Sequence, residues 1–180
     1  MFDIRETGLP GCLEIKPVIR KDERGFFIKT FHAEKFSELG LSTEIREQYY
    51  SSSKLGVIRG LHFQIPPHDH DKLVYCLRGS VLDAVVDLRR SSPTFGRHVT
   101  LQLDAEAGNM LYIPKGFAHG FCATSEDSIM VYNVTSVYAP DHDMGILWNS
   151  AGVNWQNAAP IVSDRDAALP PMADFNSPFA

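Results

Sequence analysis

The chain has 180 residues, 44% of them hydrophobic, which is enough for one well-filled core and too apolar for a disordered chain. Its formal charge of −5 gives no reason to expect nucleic acid or an anionic membrane as a partner. No apolar run approaches the roughly 18–20 residues that span a bilayer, and residues 1–10 carry Asp3, Arg5 and Glu6 without the apolar segment of a secretory leader, so a cytoplasmic location is expected.

Taken in chain order, the pattern predicts an all-β protein and one domain over residues 1–180. Strand-like runs fall at 13–19, 25–31, 57–64, 73–77, 81–88, 97–103, 110–113, 120–123 and 129–136. Polar or Gly/Pro breaks separate them at short intervals, as in a sandwich or barrel. Residues 33–39 make the best short helix, with Phe36 and Leu39 on one side. In 81–88 the even positions Leu82, Ala84, Val86 and Leu88 are all apolar, so that face is expected to pack on another sheet. The odd face carries Asp83 and Asp87 and should meet water or a polar lumen. Cys12, Cys76 and Cys122 are widely spaced and odd in number, which fits free thiols in a reducing compartment, buried at least at the strand-like Cys76 and Cys122. The Ala-, Pro- and Asp-rich stretch 157–180 is expected to wrap the surface.

The most informative stretch is Gly56-Val-Ile-Arg-Gly-Leu-His-Phe-Gln64. Arg59 suits a phosphate, because its planar fork donates several hydrogen bonds at once. His62 suits proton transfer near neutral pH. Their separation of three puts them on opposite faces of a regular strand, so a bulge or twist at Gly60 is required if both reach one ligand.

A second motif, Gly108 followed by Pro114-Lys-Gly116-Phe-Ala-His119, is similar to the second motif of the cupin superfamily. Many cupins hold a metal through a first motif of two histidines and an acid. Counting back from Gly79 puts that acid position at Lys72, and an ammonium has no lone pair for a cation. His68-Asp-His70 reads as an exposed loop. No metal and no cofactor are therefore expected, and Lys72 would supply a fixed positive charge to an oxyanion.

Further segments match in order along nearly the whole chain: residues 21–27, 57–64, 72–74, 87–96, 113–121, 145–149 and 160–166. Together they identify the chain as resembling the dTDP-4-dehydrorhamnose 3,5-epimerase family. The resemblance implies a double-stranded β-helix (a cupin-like jelly roll) with short peripheral helices, and a homodimer with exchanged strands. It also implies a substrate that is a 4-keto-6-deoxyhexose on a nucleoside diphosphate, in deoxysugar and surface-polysaccharide (O-antigen) synthesis. By the same resemblance His62 is the base, Asp166 its partner, Tyr132 the acid that returns a proton to the opposite face, and Lys72 the charge beside the enolate. Arg24 and Arg59 match diphosphate ligands and His119 a substrate contact. Asp83 is left open between a second site carboxylate and a structural lumen group.

The chain departs from the family pattern at Lys29, in the segment Glu47-Gln48-Tyr49, at Asn133 and Val137, and at Asp143 and Arg165; from these segments Lys29, Glu47, Gln48, Tyr138, Asp143 and Arg165 are expected to line the substrate. Lys29 stands where the family has glutamate. A glutamate accepts from thymine N3, whereas a lysine meets the acceptors of cytosine, so dTDP is the family's nucleotide and CDP stays open. Inversion at C3 is expected, with C5 as an open second centre. Alternatives are a 3,4-ketoisomerase on the same fold, a metal-dependent cupin using His68, His70 and His119, and a sugar-binding jelly roll without turnover.

Overall fold

A computed structural model describes residues 2–180. The first strands are β1 (Phe2–Glu6), β2 (Leu13–Pro17), β3 (Ile19–Asp22) and β4 (Gly25–Ile28), followed by helix α1 (Ala33–Glu38). Next come β5 (Glu47–Ser53), β6 (Ile58–Gln64), β7 (Lys72–Arg78), β8 (Ser80–Asp87) and β9 (His98–Asp104). The chain continues through β10 (Met110–Ile113), β11 (Phe117–Ala123), β12 (Ser128–Val134) and β13 (Asp143–Gly145) to the short helix α2 (Asp164–Ala167). A six-stranded sheet in the order β1-β2-β10-β7-β12-β5 faces a five-stranded sheet in the order β13-β6-β11-β8-β9. This is the cupin-like jelly roll expected from the sequence.

Alternation along each strand sorts side chains between three apolar clusters. Between the sheets lie Val74 and Cys76 of β7, Met130 and Tyr132 of β12, and Val81, Val85, Phe117 and Phe121 from the opposite sheet. The outer face of the five-stranded sheet is covered by Ile146, Val153, Trp155 and Phe179 of the C-terminal segment. The outer face of the six-stranded sheet is covered by Phe36 of α1 with Phe2, Ile4 and Phe31.

Several expectations change. The even face of β8 packs under the C-terminal segment, while the odd face looks into the space between the sheets. Apolar character alone could not say which cover each face would receive. Both carboxylates on the odd face are fully buried, and Asp87 accepts from Arg89, Ser92 and Thr94. Run 13–19 breaks at Pro17 and continues as the β3–β4 hairpin. Run 25–31 stops at Ile28. Leu39 sits at the helix end and is exposed, unlike Phe36. Strands β1, β5 and β13 were not anticipated; β5 is polar along most of its length and lacks the apolar signal. All three cysteines are free and buried.

The break required at Gly60 is present. On β6, Ile58 and then Leu61 and Phe63 all join the outer cluster, so the alternation slips by one residue between them. The pairing with β11 shifts register at the same place. Gly60 has φ +116°, and a Cβ there would lie 2.6 Å from Gly120 Cα. Two glycines in contact thus let the strand absorb an extra residue, and Arg59 and His62 end on one face. Gly60→Ala is expected to destabilise the fold by about 2–3 kcal/mol, through backbone strain and the close approach to Gly120. Urea unfolding against wild type checks this; an unchanged midpoint would mean that β6 tolerates a side chain at the bulge.

Candidate active site

Two adjoining cavities of about 330 and 270 Å3 open at one end of the space between the sheets, and Tyr49, His62, Lys72 and Arg165 line both. The five-stranded sheet supplies Arg59 and His62 from β6 and His119 from β11. The six-stranded sheet supplies Glu47, Tyr49 and Ser51 from β5, Lys72 from β7 and Tyr132 from β12. Asp143, Tyr138 and the α2 residues Arg165 and Asp166 close the rim.

Helix α2 is anchored by Ser163, whose hydroxyl accepts from the Asp166 amide at 3.1 Å. This points the Asp166 carboxylate at β6. One oxygen lies 2.7 Å from His62 Nε2, and the other accepts the Gly60 amide at 3.1 Å. Burial would raise the Asp166 carboxyl, but the His62 hydrogen bond and charge and the Gly60 amide outweigh it and hold it below the usual range. An ionised carboxylate only accepts, so His62 Nε2 carries a proton, and in the neutral ring Nδ1 keeps the lone pair.

Tyr132 faces His62 from the other sheet. It is 8% exposed, and Ser51 Oγ lies 3.3 Å from its hydroxyl. Burial pushes the Tyr132 phenol well above its ordinary value, so it stays protonated. Its strand partner Tyr49 stacks on it at 4.7 Å between ring centres. Lys72 is buried and donates to the His62 carbonyl at 3.2 Å. Burial pulls its ammonium down to about 8, opposed by the charges of Asp143 and Asp83. His119 Nε2 lies 2.8 Å from Asp83, whose carboxyl is raised by burial despite that contact and Lys72. Asp83 therefore partners His119 and not His62. Arg59 is held by Ser53 Oγ and the Ser52 carbonyl, each at 3.0 Å. Asp143 binds Arg165 at 2.6 Å, and Glu47 accepts the Tyr138 amide at 2.7 Å.

The structure thus brings together His62, Tyr132, Asp166, Lys72, Arg59, His119, Glu47, Tyr138, Asp143 and Arg165. Gln48 alternates to the other face of β5 and bonds Asn133, outside both cavities. Arg24 and Lys29 lie in and just beyond the β3–β4 hairpin and are exposed; Arg24 is tied to Asp22. Neither lines the two cavities. Sequence reasoning missed Tyr49 and Ser51 as wall residues, along with Gln64 and His70. The available signal was the alternation Glu47, Tyr49, Ser51, hidden because β5 was not recognised as a strand. His68 and His70 are half-buried rather than exposed: His68 packs on His142 and His70 bonds Ser136. Among the described residues no group of three or more His, Cys, Asp or Glu is placed to hold a metal ion.

Comparison with known proteins gives a consistent result. Residues 6–174 match the family described as dTDP-4-dehydrorhamnose 3,5-epimerase. A protein of that name from Shigella flexneri is 41% identical over 168 residues, covering 92% of this chain and 93% of its own length. A Bacillus anthracis structure of the same name, with TDP and PPi bound, superposes with a TM-score of 0.93 at 36% identity, covering 96% of this chain and 100% of the other. A Legionella pneumophila 3,5-epimerase in complex with dTDP-4-keto-L-rhamnose gives 0.93 at 35% identity, covering 98% and 95%.

Lys72 should titrate with a midpoint near 8, and Asp83→Asn should move that midpoint down, because the Asp83 charge favours the ammonium. NMR of the lysine side chain across pH 6–11 reads both. A Lys72 midpoint near that of a free lysine would contradict its burial in the cavity wall.

Proposed function

The chain belongs to the dTDP-4-dehydrorhamnose 3,5-epimerase family, and on that premise we propose that it inverts C3 and C5 of a 4-keto-6-deoxyhexose carried on dTDP. The observation that carries this reading is a base and an acid on opposite walls of one cavity: His62 backed by Asp166, and Tyr132 on the facing sheet.

The chemistry follows from the groups. A 4-keto group acidifies the C–H bonds on both neighbouring carbons. His62 Nδ1 removes a proton from one face, and Asp166 stabilises the imidazolium that results. The electron pair moves to the keto oxygen, where Lys72 offers its ammonium inside a wall that excludes water. Tyr132 then delivers a proton to the carbon from the opposite side, and the centre is inverted. Arg59 and Arg165 at the rim suit the diphosphate, and His119, oriented by Asp83, is assigned to substrate contact.

Arg24 and Lys29 enter the reading through a homodimer. The β3–β4 hairpin pairs with no other strand among the described residues, and Phe26 and Phe27 on it are 60% and 61% exposed. Exchange of this hairpin would carry Arg24 and Lys29 to the cavity of a second copy. The nucleotide is taken as the dTDP of the relatives' names and not the CDP that Lys29 alone suggests. The reading places the reaction in the cytoplasm, in deoxysugar synthesis. For the membrane the structure says only that no described helix is long and apolar enough to cross one.

His62→Ala should lower kcat by at least about a thousandfold while dTDP binding changes by less than about threefold; steady-state assay and calorimetry read the two. Tyr132→Phe should keep deuterium exchange from D2O into the substrate yet lose inversion, because His62 still removes protons. Equal loss of both would contradict the division of roles. Incubation of wild type with dTDP- and CDP-4-keto-6-deoxyglucose in D2O should place deuterium at C3 and C5 of the dTDP sugar. A tenfold preference for the CDP sugar in kcat/KM would reassign the nucleotide.

A further inference from the structure

The proposed double inversion sets a requirement on proton supply that the structure addresses. Each inversion takes one proton onto His62 and gives one from Tyr132. After the first, His62 is an imidazolium and Tyr132 a phenolate. A second inversion on the same bound sugar needs His62 to lose its proton and Tyr132 to gain one.

His62 is half-buried beside the cavity mouth and can release its proton to water there. Tyr132 has no such access while a sugar fills the cavity. It is 8% exposed, Tyr49 covers one face of its ring, and His119 sits against it at 6.1 Å between ring centres. Among the described residues its hydroxyl has one hydrogen-bond partner, Ser51 Oγ at 3.3 Å. Ser51 sits across the sheet opposite Met130, next but one to Tyr49, and lines the cavity shared with Arg59 and His119.

Resting on the epimerase reading, we propose that Ser51 is the positioning residue that recharges Tyr132 with a proton between the two inversions. The step balances. The Tyr132 O–H bond breaks as the new C–H bond forms, leaving a phenolate. The Ser51 hydroxyl turns to donate to it, and the charge tightens the contact. Ser51 passes its proton to the phenolate oxygen and takes one from a cavity water. His62 returns the proton it removed to water, so no net proton is consumed. Between turnovers the emptied cavity admits water to Tyr132 directly, so Ser51 matters chiefly while the sugar is bound.

The test is Ser51→Ala, with Ser51→Thr as the variant that keeps the hydroxyl, assayed on the dTDP-4-keto-6-deoxy sugar by product NMR. Ser51→Ala is expected to release sugar inverted at one centre only. The ratio of singly to doubly inverted product should rise at least tenfold, because the second inversion slows more than the first. Ser51→Thr should restore the wild-type ratio. Millimolar imidazole should lower the ratio in Ser51→Ala by shuttling protons. Wild-type product proportions in Ser51→Ala, or equal slowing of both inversions without imidazole rescue, would overturn the proposal and leave Ser51 as a prop for the Tyr132 ring. If wild type inverts a single centre, the two-centre reading fails and this proposal falls with it.

Discussion

The Asp166 carboxylate divides its two oxygens between the His62 ring and the Gly60 amide. One oxygen fixes which nitrogen of the imidazole keeps its lone pair. The other satisfies a backbone donor at the point where β6 slips out of alternation, a group that would be costly to leave unpaired. The same contact ties α2, near the end of the chain, to β6, 104 to 106 positions earlier. Without the slip Arg59 and His62 would face opposite ways, and without α2 the slip would expose an unpaired amide. The site is therefore a property of the bulge and its cap together.

The walls divide the work electrically. The chain is acidic overall, yet the cavity gathers Arg59, Lys72 and Arg165 around groups that develop or carry negative charge. Lys72 is kept charged in a buried wall by Asp143 and Asp83, with its ammonium held down near 8 by burial. That arrangement places a positive charge where little water surrounds it, and on the proposed reading it would act there on an enolate oxygen. Across the cavity, burial keeps Tyr132 protonated. In the proposed reaction the burial that keeps Tyr132 a donor also limits its contact with water while a sugar is bound, which is where the Ser51 hydroxyl would act.

Much of this was legible in the sequence. The strand periods pointed to a sandwich or barrel, the Pro-x-Gly-x-x-His motif to a likeness with cupins, and the order of matching segments to the family, whose resemblance implied the jelly roll. Arg59 and His62 at a spacing of three, with glycine between, required a bulge or twist if both were to reach one ligand, because side chains alternate along any strand. Lys72 in place of a metal-binding acid followed from counting. These features are local: they depend on residue type and spacing within one strand or turn.

What the tertiary structure decided was long-range. Strand β5 is too polar to announce itself, and it becomes a strand only because β12 offers its edge; Tyr49 and Ser51 enter the cavity wall with it. Which face of β8 meets the opposite sheet was settled by the C-terminal segment taking the other. Asp83 went to His119, and Asp166 to His62, by proximity across strands and across 104 positions of chain. Short-range periodicity in the sequence determined a β sandwich or barrel, and its motifs determined the family resemblance and the chemical types at the site. Pairing, facing and burial arise between segments distant along the chain, and only the folded structure fixes them.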